Sequence, residues 1–179
     1  MDLTNYRLEN LTEPYLLQVL TWRNQPHVRE MMYTDHLITK EEHEKWFENV
    51  IRSNESIVKL LFYQETPLGL VQFNHIHERF KRCYWGFYIG EKNPPNKTGT
   101  ALGILALDYI FLKQGLEKVL AEVIENNTRS FHYHKKLGFV EEGRFIKHII
   151  KHNQALDVIP MALFNDEWQQ VRTKLKGEV

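Results

Sequence analysis

One cysteine, Cys83, is all the chain has. That excludes an intramolecular disulfide and any metal site built on several thiolates. Charge of neither sign is in excess: 23 basic side chains meet 23 acidic ones. Bulk electrostatics therefore offers nothing to nucleic acid or to an anionic membrane. No apolar run is long enough to span a bilayer, and the opening MDLTNYRLEN does not read as a secretory leader, so the expectation is a cytoplasmic protein. Internal repeats, low-complexity tracts and linker-like stretches are missing too. With 42% apolar and 26% charged residues in 179, the composition is that of one globular domain, 1–179, with enough chain for a core. The glycine-rich loop after the central strand is neither Gly-x-Gly-x-x-Gly nor Gly-x-x-x-x-Gly-Lys-Ser/Thr, so the dinucleotide and P-loop patterns lose support.

What the chain does have is a segment on which the rest is centred: YWGFYIG, then EKNPPNKTGT, then ALGILALDYIFL. An apolar strand breaks at Gly90, crosses a Pro-Pro loop and enters Lys97, Thr98, Gly99, Thr100 and Ala101, where a helical pattern begins. The first amides of a helix lack partners within it and point the same way. A glycine lets a ligand approach the backbone, and the helix dipole favours an anion there. These are the parts of a phosphate site. A second segment downstream repeats the strand-to-helix arrangement: KVLAEVIE, then residues 126–130, a helix, and Gly138-Phe139.

Around these segments the order is regular. Residues 6–11 read as a strand. Thr12 and Pro14 open a helix with Leu16, Leu20 and Arg23 on one face, and Pro26 ends it. Residues 24–38 read as an apolar, aromatic loop. Thr39 and Glu42 form a capping box for a helix carrying His43, Trp46, Phe47, Val50 and Ile51 on one face. Strands 56–63, 68–76 and 82–90 follow through short turns and so pair antiparallel. A helix over 98–114 stops at Gly115. The strand it leads to, 118–125, is parallel to its predecessor because the connection crosses through a helix. A helix over 128–137, strands 139–151 and 155–164, and a helix over 166–175 complete the chain. The expectation is an α/β fold: a mixed, mostly antiparallel sheet with a splayed central parallel pair flanked by helices, and a ligand crevice at the splay.

Residues 96–101, with Asn127, Ser130, Gly138 and Phe139, resemble the GNAT N-acetyltransferases. Their pyrophosphate loop reads Gln/Arg-x-x-Gly-x-Gly/Ala, and Asn96 departs from its first position. A later Asn-x-x-Ser/Ala segment is followed by a helix and Gly-Phe. More narrowly, Trp22 to Arg29, Met32-Tyr33, residues 38–47, residues 84–90 and Glu141 to Arg144 are similar to the pseudaminic-acid pathway enzymes that acetylate the 4-amino group of a UDP-linked sugar. NTRSFHYHKKLGF also resembles enzymes that acetylate ribosomal-protein N-termini. The resemblance implies acetyl-CoA as donor and UDP-4-amino-4,6-dideoxy-N-acetyl-β-L-altrosamine as acceptor. A ribosomal-type N-terminal acetyltransferase and a non-catalytic acyl-CoA or nucleotide-sugar binding module are the alternatives. Oligomeric state is open, a homodimer included.

The roles that follow are these. Phe87, Tyr88 and Ile89 offer the strand edge to acetyl-CoA. Lys97, Thr98, Gly99, Thr100 and Ala101 hold its pyrophosphate. Asn127 and Ser130 bond its pantetheine arm, although both also suit helix capping. Arg23, Met32, His43, Trp46, Asn74, His75 and Tyr88 line the acceptor site. Arg23 is more commonly a surface arginine compensating a helix dipole, and His43 also reads as a core histidine bonded to a carbonyl. Glu122 is the general base; it reads equally as a strand glutamate paired to a lysine or arginine, with solvent taking the proton. Family members carry a tyrosine seven residues after the asparagine, a count that reaches His134, with Tyr133 one before it. His134 is therefore the general acid by position. Tyr133 or a water takes that role where burial keeps the imidazole neutral. No metal is expected: His75 and His77 share a strand face without a third ligand, and His132 and His134 do not face each other on a helix.

Overall fold

The computed structural model describes residues 2–177. The strands are β1 (Tyr6–Asn10), β2 (Ile57–Tyr63), β3 (Thr66–His77), β4 (Arg82–Ile89), β5 (Lys118–Ile124), β6 (Val140–Glu141), β7 (Phe145–Lys151) and β8 (Gln154–Phe164). They form one sheet in the order β1-β2-β3-β4-β5-β8-β6, with β7 also on β8. The helices are α1 (Leu16–Asn24), α2 (Pro26–Arg29), α3 (Lys40–Arg52), α4 (Thr98–Asp108), α5 (Thr128–Lys136) and α6 (Asn165–Gly177). This is the expected α/β arrangement. All neighbours are antiparallel except β4 and β5. That parallel ladder covers only Arg82 to Tyr84 against Lys118 to Leu120. Beyond it β4 and β5 continue unpaired to each other and diverge.

Both faces of the sheet carry a core. In β2, Val58, Leu60 and Phe62 turn to one side, where they meet Val19 and Trp22 of α1 and the inner face of α3. Leu61 turns to the other, with Val71, Phe73, Cys83 and Trp85 against α4. The period of two thus divides one apolar strand between two cores. Helix α4 has little polar surface, with Ala101, Leu102, Ile104, Ala106 and Leu107 fully enclosed, as a helix covered on all sides requires. Asp108 at its end accepts from Trp168 Nε1 and Arg172 Nε, which ties α6 to α4.

Several expectations need correction. Residues 24–38 are not all loop: α1 ends at Asn24, and Pro26 opens α2 rather than only closing α1. Proline at a first helical position loses no hydrogen bond. The buried residues of α1 are Val19 and Trp22; Leu16 packs half-buried against the same cluster, while Leu20 is not part of it. Ile51 is exposed at the end of α3, although the Thr39–Glu42 capping box is present on both sides. The helix over 98–114 is α until Asp108, then a π turn over Tyr109–Lys113. Residues 139–151 make two strands, because the chain leaves the ladder between Glu141 and Phe145. Asp157 on β8 fills that gap, accepting from Arg144 Nη1 and from the amide of Lys147.

Candidate active site

Where β4 and β5 part, two clefts meet. The larger, of about 840 Å³, follows the open edge of β4 from Gly86 to Ile89 and is closed by β5 and by the N-terminal ends of α4 and α5. The smaller, of about 400 Å³, lies beneath α1 and α3 and is walled by Arg23, His43, Trp46, Gln72 and Asn74. Met32, Gly86, Phe87 and Tyr88 line both. Molecules held in the two clefts would touch across those four residues.

At the far end of the larger cleft the chain turns through Lys97, whose φ of 67° is left-handed, into α4. The amides of Thr98 and Ala101 donate to Pro95 O and Lys97 O. Those of Gly99 and Thr100, second and third in the helix, belong to the set a helix leaves unpaired. Of the five predicted loop residues, only Gly99 lines the cleft. Thr98 and Ala101 are buried, and the Thr98 hydroxyl donates to Pro95 O. Their side chains belong to the core, so these two residues have only main chain to present to an anion.

Residues 8–159 match the model of the acetyltransferase (GNAT) domain. The chain belongs to the GNAT acetyltransferase family. Among individual proteins it is similar to spermidine N(1)-acetyltransferase of Escherichia coli K12, 28% identical over 99 residues, or 55% of this chain and 52% of that protein. The enzyme of the same name from Vibrio cholerae is 25% identical over 105 residues, 59% of this chain and 61% of that one. The matched region thus spans little more than half the length of these relatives. In three dimensions the chain resembles the Vibrio cholerae spermidine N-acetyltransferase in complex with CoA and spermine, with a TM-score of 0.87 at 20% identity over 93% of this chain and 99% of that one. A dodecameric structure of the same enzyme gives 0.77 at 20% identity, over 92% and 96%.

In this GNAT-family chain, α5 carries three of the predicted residues. Asn127 caps it, its Oδ1 accepting from Ser130 N at 3.1 Å. Ser130 and Asn127 both line the larger cleft. His134 is buried and its ring is held at both nitrogens: Nδ1 donates to Ser130 O at 2.7 Å, and Nε2 accepts from Trp85 Nε1 at 3.2 Å. That pairing requires the neutral ring, and burial lowers its pKa to about 4. The expectation that His134 serves as an imidazolium acid therefore conflicts with the geometry. Tyr133 is not a free donor either. Its hydroxyl donates to Gly99 O at 2.6 Å, and burial raises its pKa. It ties α5 to the first turn of α4.

Glu122 lies on the exposed face of β5. Its partner is neither lysine nor arginine but Tyr33, whose hydroxyl donates to Oε2 at 2.5 Å from the far side of the cleft. Desolvation first, and this bond second, raise the Tyr33 pKa.

On the other side, Arg23 Nη2 donates to Thr34 O at 2.9 Å, while Nη1 is buried without a partner. His43 is buried, its Nε2 bonded to Leu16 O at 3.0 Å and its ring stacked on Trp46 at 5.0 Å; burial lowers its pKa. The carbonyl-bonded core histidine and the pocket wall are thus the same residue. Asn74 Oδ1 accepts from Gln72 Nε2 at 2.6 Å. His75 is misplaced by the sequence reading. A register break after Asn74 gives it a φ of 50°, and it packs edge-on to Tyr84, outside either cleft. His77 stacks on Phe80 instead, so the two histidines do not share a site. Among the described residues no three histidine, cysteine or carboxylate side chains gather as a metal site.

Sequence reasoning missed Gln72, Gly86 and the reach of Tyr33. Gly86 had a signal, since a glycine inside a strand marks close approach of a ligand or another chain. Tyr33 had none, because its partner lies 89 residues away.

Proposed function

We propose that the larger cleft holds acetyl-CoA, the smaller a UDP-linked amino sugar, and that the 4-amino group of the sugar is acetylated where they meet. The observation that carries the acceptor class is Arg23. A half-buried guanidinium in the pocket wall, with one nitrogen enclosed and unpartnered, calls for an anion such as a diphosphate. The stacked His43–Trp46 pair beside it offers a planar surface to a base.

For the donor, Gly90 N–H bonds back to Leu68 O on β3. Counting back by two, Tyr88 and Gly86 also turn their amides to β3, so those of Phe87 and Ile89 face the gap. One of these amides supports the thioester oxyanion, the kind of preorganised donor that contributes most in acyl transfer. The pyrophosphate lies at the start of α4 against the Gly99 and Thr100 amides. Asn127 and Ser130 lie along the pantetheine arm. Glu122 takes the proton from the attacking amine, directly or through water. With His134 neutral and both its nitrogens engaged, the leaving thiolate takes its proton from water.

A polyamine acceptor is the second possibility, favoured by the names of the relatives. The pocket chemistry opposes it. Arg23 repels a polycation, and the carboxylate lining the pocket, Glu42, is engaged at both oxygens by His36 and by Thr39 N. The test is thiol release from acetyl-CoA with three amines: UDP-4-amino-4,6-dideoxy-N-acetyl-β-L-altrosamine, spermidine, and a peptide with a ribosomal-protein N-terminus. The sugar should be turned over, with the other two at background. Spermidine turned over with a comparable kcat/KM would overturn the proposal.

A further inference from the structure

Lys151 is the last residue of β7 and only 5% exposed. Its ammonium donates to Glu30 O at 2.6 Å and to Met32 O at 2.7 Å, crossing 121 and 119 positions of sequence. Two residues further along, Thr34 O accepts from Arg23 Nη2. The alternate carbonyls of 30, 32 and 34 are therefore held by two cations that lie outside the segment. The side chains between them reach the reaction. Met32 lines both clefts, and Tyr33 donates to Glu122. His148, also on β7, packs against the Tyr33 ring with centroids 6.4 Å apart.

Enclosing an ammonium is costly unless its protons are used. Both bonds of Lys151 end on main-chain oxygen, not on a carboxylate. An apolar side chain would fill the same space without that cost, so what the lysine adds is the placement of those two carbonyls. Desolvation lowers its pKa, consistent with its enclosure.

We infer that Lys151 is a positioning residue: through the carbonyls of Glu30 and Met32 it fixes residues 30–34, and with them the width of the acceptor pocket and the aim of Tyr33 at Glu122. The inference rests on the smaller cleft being the acceptor site. The β7–β8 hairpin, remote from the phosphate end, thereby becomes one jaw of that site.

The test compares Lys151→Met and Lys151→Arg with the wild type in three measurements. These are amide hydrogen exchange over residues 30–38 and over β5, acetyl-CoA affinity by calorimetry, and KM and kcat for whichever of the three amines above the wild type acetylates. Lys151→Met should exchange roughly tenfold faster at 30–38 and not in β5. Its acceptor KM should rise by about the same factor, with acetyl-CoA affinity held within about twofold. Lys151→Arg, which keeps the charged donors, should restore most of both. Unchanged exchange at 30–38 would overturn the inference. So would faster exchange in β5 accompanied by weaker acetyl-CoA binding, which marks general loosening. Should Lys151→Met not fold, Lys151→Gln replaces it, with the same pattern expected in weaker form. A wild type that acetylates none of the three amines would remove the proposed acceptor, while hydrogen exchange would still decide the role of Lys151.

Discussion

His134 illustrates how much one buried ring fixes. Between Trp85 Nε1 and Ser130 O it joins β4 to α5, and it can do so only uncharged. Its pKa is about 4 in the folded chain against 6.5 for the free side chain. Between those values the unfolded chain binds the extra proton, so stability is complete above pH 6.5 and falls as pH drops toward 4. The loss from this group alone is about 3 kcal/mol, and His43, lowered in the same direction, adds to it. Urea unfolding of His134→Gln across pH 4–7 should therefore show a flatter stability profile than wild type. An unchanged slope would mean that the ring is not neutral in the fold. Glu122 makes the opposite case, an exposed carboxylate with one phenolic partner. Glu122→Gln should lower kcat by roughly a hundred- to ten-thousand-fold with acetyl-CoA affinity unchanged, as expected for a general base. A loss smaller than about tenfold would assign the proton to solvent.

Among elements, the junction of α1 with β4 bears on the proposed acceptor side. A Cβ on Gly90 would run into the ring of Trp22, so the strand end and the helix approach as closely as backbone allows. Trp22 precedes Arg23, and displacing one moves the other. Gly90→Ala should cost about 1–3 kcal/mol and raise the acceptor KM more than that of acetyl-CoA. Equal changes in both would mean that α1 does not set the acceptor pocket. The junction of α5 with α4 matters to the donor side in the same way. Tyr133→Phe removes the bond to Gly99 O, loosens α5 from the first turn of α4, and should weaken acetyl-CoA roughly fivefold. Calorimetric titration checks this; an unchanged dissociation constant would make the bond purely structural. Elements fixed by adjacent residues were legible in the sequence. The capping box of α3, the stop at Gly115 and the parallel crossover into β5 each depend on a few neighbours or on chirality. The break between β6 and β7 was not legible, because Asp157, which stabilises it, arrives from the next strand. Nor was the left-handed turn at Lys97, a residue type that gives no warning of positive φ.

For the whole molecule, the sheet is continuous at one end and divided at the other, and the division opens the clefts of the candidate site. The sequence pattern led to that opening, since a parallel pair within antiparallel neighbours leaves a crevice. The motifs also named both of its sides: Gly99, Asn127 and Ser130 on one, Arg23, His43 and Trp46 on the other. What could not be read was which side chains cross the opening. Tyr33 to Glu122 and Lys151 to Glu30 are contacts between segments far apart in the chain, and no local pattern encodes them. The lining common to both clefts has a further consequence for inhibition. Met32, Gly86, Phe87 and Tyr88 line both clefts where they meet, so a single compound can occupy both through a linker of a few atoms. Coenzyme A tethered in this way to a UDP-sugar would bind its second half at an effective concentration in the millimolar range. The conjugate should bind about a hundred- to ten-thousand-fold more tightly than either half, and Arg23→Lys should remove most of that advantage while leaving the coenzyme half in place.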